Sequence, residues 1–147
     1  MHLKDKVAIV TGGGTGIGRA CAEVFAREGA AVVIAGRRAH LLAEVQQAIA
    51  AAGGRCAAQV CDVTVAREVA RLVGFTQERF GGLHVLVNSA GLWLAGSVEE
   101  TSEADWERVL AVNLKGVFLL SKAAVPVMRR AGGGSIINIS SILGLVG

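Results

Sequence analysis

Thr11-Gly12-Gly13-Gly14-Thr15-Gly16-Ile17-Gly18 decides how this sequence is read. The apolar run Val7-Ala8-Ile9-Val10 leads into it, and an amphipathic run starting at Ile17 leads out. That order predicts a strand, a tight turn and a helix. Gly12 permits the turn, Gly16 lets the backbone approach a phosphate with no Cβ in the way, and Gly18 lets the helix pack close to the strand. The helix N-terminus adds free N–H groups and partial positive charge. The stretch is therefore expected to cradle a pyrophosphate, with Gly14, Thr15 and Ile17 in the same cradle, and so to form a nucleotide-cofactor site.

Working outward, Ile17, Ala20, Cys21, Val24 and Phe25 recur at helical spacing, and Gly29 ends that helix. Ala31–Ala35 reads as a second strand. Leu41, Leu42, Val45, Ala48 and Ile49 form the next helical face, stopped by Gly53-Gly54. Ala57–Cys61 reads as a third strand, and Thr64 as the cap of a helix carrying Val69, Leu72, Val73 and Phe80 inward. Leu83–Val87 reads as a fourth strand. Ser102 with Asp105 resembles a capping box before a long helical region, about Glu103 to Arg130, whose apolar positions crowd more than one face. Burial on two sides, in part at a subunit interface, is the expectation there. Ser135–Ile139 reads as a fifth strand. Near-continuous apolar strands alternating with helices imply an α/β fold, a doubly wound parallel sheet of the Rossmann type, covered on both faces. Residues 1–147 read as a single domain, or most of one, without linkers or repeats.

Composition narrows the classes. The chain has 147 residues, 52% hydrophobic and 18% charged, which excludes disorder. The net charge of +3 is mild and scattered, with no basic stripe interleaved with aromatics, so nucleic acid is not an expected partner. Cys21, Cys56 and Cys61 form neither a CxxC pair nor a disulfide framework, and read as small core residues of a cytoplasmic protein. No metal-ligand set is read. No apolar run approaches the ~20 residues of a membrane span; the longest candidate, around Val117 to Met128, is broken by Lys122 and Pro126.

A glycine-rich turn alone does not name a chemistry, since methyltransferases and flavoproteins carry relatives of it. Four later features add to it. Asp62-Val63 closes the third strand, where Asp62 also reads as a plain strand-end residue before a helix cap. Asn88-Ser89-Ala90-Gly91 follows the fourth strand, where a plain strand-to-loop turn would look the same. Asn113 sits inside an apolar helix, a locally unfavourable place that hints at function or a kink. Ser140-Ser141 ends the fifth strand. Taken in order with the T-G-x-x-x-G-x-G spacing, these resemble the short-chain dehydrogenase/reductase family over Lys4 to Gly147.

The resemblance implies an oxidoreductase that transfers a hydride between a nicotinamide and a carbonyl or secondary alcohol. It implies that Asp62 meets the adenine amino group and the Val63 backbone the ring. Asn88 would help fix the central strand and the cofactor's ribose region, and the small residues Ala90 and Gly91 would let the dinucleotide lie against the strand ends. Asn113 would hold a water in a proton relay, and Ser141 would polarise the substrate carbonyl. Family members are usually homotetramers or homodimers built on the long helices, which would turn Leu119 and Ala123 to a partner.

The second strand ends in Gly36-Arg37-Arg38. No carboxylate stands there to bind a ribose 2′-hydroxyl, and two guanidinium groups favour a 2′-phosphate, so NADP(H) is expected over NAD(H). The arginines also read as a solvated pair opening the next helix. The family's Tyr-x-x-x-Lys pair would fall beyond Gly147, and the chain contains no tyrosine. The expectation is thus an N-terminal fragment, C-terminal strands missing, that is inactive by itself. A non-catalytic dinucleotide-binding module is the alternative. Leu92, Trp93 and Leu94 are expected at the rim of the site.

Overall fold

The computed structural model describes residues 1–144. Five parallel strands alternate with helices: β1 (Val7–Thr11), α1 (Gly16–Arg27), β2 (Ala31–Gly36), α2 (Ala39–Ala51), β3 (Arg55–Val60), α3 (Ala66–Phe80), β4 (Val85–Asn88), α4 (Glu103–Leu110), α5 (Gly116–Arg130) and β5 (Ser135–Asn138). The sheet order is β3-β2-β1-β4-β5. The chain winds outward from β1 to β3, then crosses back to start β4 on the other side of β1. That reversal opens a crevice at the strands' C-terminal ends, where open α/β sheets bind ligands.

Side-chain alternation along the strands divides the core in two. Ile9, Val33 and Leu86 point to one face with Leu72 of α3 and Leu120 of α5. Val10, Val32 and Val87 point to the other with Ala22 of α1 and Leu42, Val45 and Ile49 of α2. Fully burying one such aliphatic side chain is worth about 1.5–3 kcal/mol, so these stripes fix which way each helix faces.

Several sequence expectations are corrected. In α1 the buried stripe is Gly18, Ala22 and Ala26, while Ile17 and Val24 are exposed. The small residues win that face because α1 must lie close to β1. Thr64 is not the cap of α3: Val65 holds that place with no side-chain cap, and both donors of Thr64 turn back to Asp62. Ala48 is exposed and Phe80 only half-buried. Strand bounds shift by one or two residues, and β3 is only partly buried as an edge strand.

Ser102 does cap α4, its Oγ accepting from the Asp105 N–H at 3.1 Å and donating to Oδ2 of Asp105 at 2.9 Å. The helical run continues through Pro126, which forfeits one backbone rung without ending α5. Its middle, Ala111–Lys115, widens into a single π-turn around Asn113. Within the chain itself the run is buried along one face. At 28 residues, with an 18-residue window of mean hydropathy 1.5, it is long and apolar enough to cross a membrane by length and composition alone. The sequence reading counted only uninterrupted apolar residues and missed this. Here the run packs on the sheet through Leu120, Ala124, Val127 and Met128.

Candidate cofactor site

The glycine turn works by what it leaves out. Gly12 has φ +65°, and a Cβ there would press on the Ser89 carbonyl at 2.9 Å. A Cβ on Gly18 would strike the Gly12 carbonyl, so Gly18 sets the closeness of α1 to the turn rather than touching the cleft. Gly16 has φ +53° and open space where its Cβ would be. Thr15, the N-cap of α1, makes no side-chain cap bond, and the first turn of the helix carries no acidic residue. The helix therefore presents unsatisfied N–H groups and its positive end to open space, which fits a pyrophosphate.

That space is a cleft of about 330 Å³ along the C-terminal ends of the strands. Gly12, Gly14, Thr15, Gly16 and Ile17 form its middle. Arg37 and Arg38 stand at one end, Asp62 and Val63 beside them, and Ala90 and Gly91 at the other side. Thr11 joins the two sides from below. Its hydroxyl accepts from the N–H groups of Ser89 and Ala90 at 3.1 and 3.2 Å and donates to the Val87 carbonyl at 3.3 Å.

Charge is distributed unevenly along the cleft. Nη2 of Arg38 donates to Oγ1 of Thr15 at 3.4 Å, tying the end of β2 to the glycine turn. Among the described residues neither Arg37 nor Arg38 has a carboxylate within ion-pair distance. Burial pushes the Asp62 carboxyl up, but the Thr64 N–H, the Thr64 hydroxyl and the Arg37 charge together hold it below its ordinary 3.8. Cys61, also on the wall, is pushed up to about 11, first by burial and then by the Glu68 and Asp62 carboxylates. It is a neutral, apolar wall at ordinary pH, not a nucleophile.

Asn88 and Asn113 both spend their side-chain amides on the fold itself. Asn88 does not reach the cleft. It is buried, and its Nδ2 donates to Oδ1 of Asn138 at 2.8 Å, clamping β4 to β5. Its own Oδ1 is buried without a partner. Asn113 has both ends of its amide on the Leu92 backbone: Oδ1 accepts from the N–H at 2.8 Å, and Nδ2 donates to the carbonyl at 2.8 Å. Its side chain thus anchors the loop after β4, while the π-turn around it leaves helix backbone groups out of their usual register.

Ser141 is exposed and lies outside the cleft lining, and its Oγ accepts from the Leu143 N–H at 3.2 Å. Accepting that bond leaves its proton free to donate. Trp93 and Leu94 are exposed beyond the anchored Leu92. Sequence reasoning missed Gly36, Leu41, Leu42, Ser89, Val112 and Ile139 on the cleft wall. It also missed the bond from the Asp62 N–H to Glu68 at 2.8 Å. For Ser89 and Gly36 the signal was present, as the neighbours of Ala90 and Arg37; the rest come together only through the fold.

Comparison with known proteins agrees with this arrangement. The short chain dehydrogenase family model matches residues 6–147. The chain is 44% identical over its whole length to an uncharacterized oxidoreductase of Thermotoga maritima. It is 43% identical over 144 residues, 98% of the chain, to the 2,5-dichloro-2,5-cyclohexadiene-1,4-diol dehydrogenase LinX of Sphingobium indicum. It spans 58% of the length of each of these two relatives. A crystal structure of a short-chain dehydrogenase/reductase from Burkholderia xenovorans superposes with a TM-score of 0.96 at 39% identity, over 99% of this chain and 60% of that one. The chain belongs to the short-chain dehydrogenase family.

Proposed function

We propose that the whole protein is a nicotinamide-dinucleotide-dependent oxidoreductase acting on a carbonyl or secondary alcohol, and that these 147 residues carry its cofactor half. The observation that supports this most is the uncapped, acid-free N-terminus of α1 opening onto the cleft at the sheet's switch point. NADP(H) is favoured over NAD(H), because Arg37 and Arg38 border the cleft and no carboxylate follows β2. Arg38, bridged to Thr15, spans the place where the phosphates and the adenosine ribose would meet.

The cofactor, when bound, supplies or accepts the hydride. The chain's own residues then divide the remaining work. The α1 N-terminus holds the phosphates, and Val63, Ala90 and Gly91 give the dinucleotide a flat wall. Asn113 keeps Leu92 and the loop behind it in place, so a relay role falls to the backbone carbonyls of its π-turn rather than to its amide. Ser141 donates a hydrogen bond to the substrate oxygen and so polarises the carbonyl. The chain has no tyrosine to complete proton transfer, so by itself it is expected to bind dinucleotide without turnover.

That absence also favours a second reading, a non-catalytic dinucleotide-binding module. The retention of Asn113 and Ser141, which a binder does not need, argues for the enzyme. Trp106, Leu110, Leu114 and Phe118 are exposed at four-residue intervals along the α4–α5 run and are the proposed contact in a homotetramer or homodimer. This replaces Leu119 and Ala123, which pack against the core. Three free thiols fit a cytoplasmic setting.

Fluorescence titration tests the cofactor claim. NADPH is expected to bind tighter than NADH. Arg37→Asp is expected to weaken NADPH about tenfold or more while sparing NADH, as loss of a charge-assisted contact predicts. An equal loss for both cofactors overturns 2′-phosphate recognition.

A further inference from the structure

Asp62 is held more tightly than a strand-end residue requires. Its N–H donates to Oε2 of Glu68 at 2.8 Å, and its carbonyl accepts from the Val65 N–H at 3.1 Å. Its Oδ1 accepts twice from Thr64, from the N–H at 2.9 Å and the hydroxyl at 2.7 Å. Just before it, the Cys61 N–H donates to the Gly36 carbonyl at 2.9 Å. Oδ2 has no hydrogen-bond partner among the described residues, while Asp62 itself borders the cleft.

Glu68 is the third residue of α3, where a glutamate ordinarily returns to the N-cap's own N–H. Here it reaches further back, outside the helix, to Asp62. The N-cap, Val65, has no acceptor of its own. A helix start needing only a cap would be better served by Ser, Thr or Asp at 65. The Glu68 carboxylate is spent instead on the Asp62 backbone N–H, outside the helix it could cap.

We propose that Glu68 is a positioning residue which, with Thr64, fixes the Asp62 carboxylate so that its free oxygen selects a 6-aminopurine over a 6-oxopurine at the adenosine end of the cleft. This rests on the dinucleotide reading given above. An ionised carboxylate only accepts hydrogen bonds. A clamped one meets an exocyclic amine favourably and a carbonyl oxygen unfavourably, and it cannot swing away to avoid the mismatch. A mobile carboxylate would turn aside and discriminate poorly.

The test titrates NADPH and its hypoxanthine analogue, which has the same phosphates and nicotinamide, against the unaltered chain and three variants, with apo melting followed alongside. The unaltered chain is expected to prefer NADPH by about tenfold or more, as for a hydrogen bond to a charged group. Glu68→Ala moves that ratio toward unity. Glu68→Gln, whose amide oxygen still accepts from the Asp62 N–H, keeps it. A Glu68→Ala chain that weakens both dinucleotides equally, with the ratio intact, overturns the proposal and leaves Glu68 a cap of α3. Should Glu68→Ala not fold, Thr64→Val carries the test: a lowered ratio supports the proposal and an unchanged one overturns it. If the unaltered chain binds neither dinucleotide, the dinucleotide reading fails, and this inference fails with it.

Discussion

The two sides of the sheet are built from similarly apolar sequence and end in opposite states. Every residue of β1 is buried, as are the first five of β2, between α1 and α2 on one face and α3 and α5 on the other. Across the crevice, β5 is mostly exposed, and Trp106, Leu114 and Phe118 stand 58–65% open along the α4–α5 run. The first side closes its core within the chain and shapes the cleft from it. The second side offers apolar surface outward. Hydrophobicity alone says that a residue seeks cover, not which part of a protein supplies it.

The contrast is tested most sharply along the α4–α5 run. Leu120→Ala, in the closed core, is expected to cost about 2–5 kcal/mol by urea denaturation. Leu114→Ala, less than two turns earlier, should stay within about 0.5 kcal/mol. Equal costs would mean that the outward face is closed too. Gly18→Ala comes next. Its Cβ would strike the Gly12 carbonyl, so it should lower stability by about 1–3 kcal/mol and weaken NADPH binding as well. A Gly18→Ala chain that binds normally would show that close packing of α1 does not shape the turn.

A smaller effect comes from pH. Burial pushes the Cys56 thiol from its ordinary 9.0 up to about 12. A raised folded-state value stabilises fully below 9.0 and is lost as pH rises from there toward 12. Melting temperature should therefore fall above pH 9, and fall less steeply in Cys56→Ala. An identical alkaline slope in that variant would assign the loss elsewhere. The least effect on stability is expected from Trp106→Ser with Phe118→Ser. The pair should leave the melting temperature nearly unchanged while reducing self-association in sedimentation velocity.

Much of the first side was legible in the sequence, and the reasons are local. Gly12 and Gly18 leave no room for a Cβ, and Gly12 and Gly16 take a φ that other residues rarely adopt, and that constraint shows as spacing. Asn113 announced itself as a polar residue in an apolar helix, and the π-turn lies there. What was illegible depends on partners distant in sequence. That Asn88 fixes the central strand was legible, but its partner Asn138, 50 residues away, was not. The buried stripe of α1 was misread because alanine and glycine carry little hydrophobic signal, yet they alone allow the close approach. Glu68 gave no sign at all, since its bond to Asp62 exists only once β3 and α3 are folded.

The central claim is that the cleft beneath the glycine turn, and not the apolar outward face, binds a phosphorylated nicotinamide dinucleotide. Backbone amide NMR during an NADPH titration tests it most directly. The account predicts shifts at Gly14, Gly16, Gly18, Val63 and Gly91, with the Trp106 indole and the Leu114 and Phe118 amides unmoved. Shifts confined to Trp106–Phe118, or none at saturating NADPH, would contradict it.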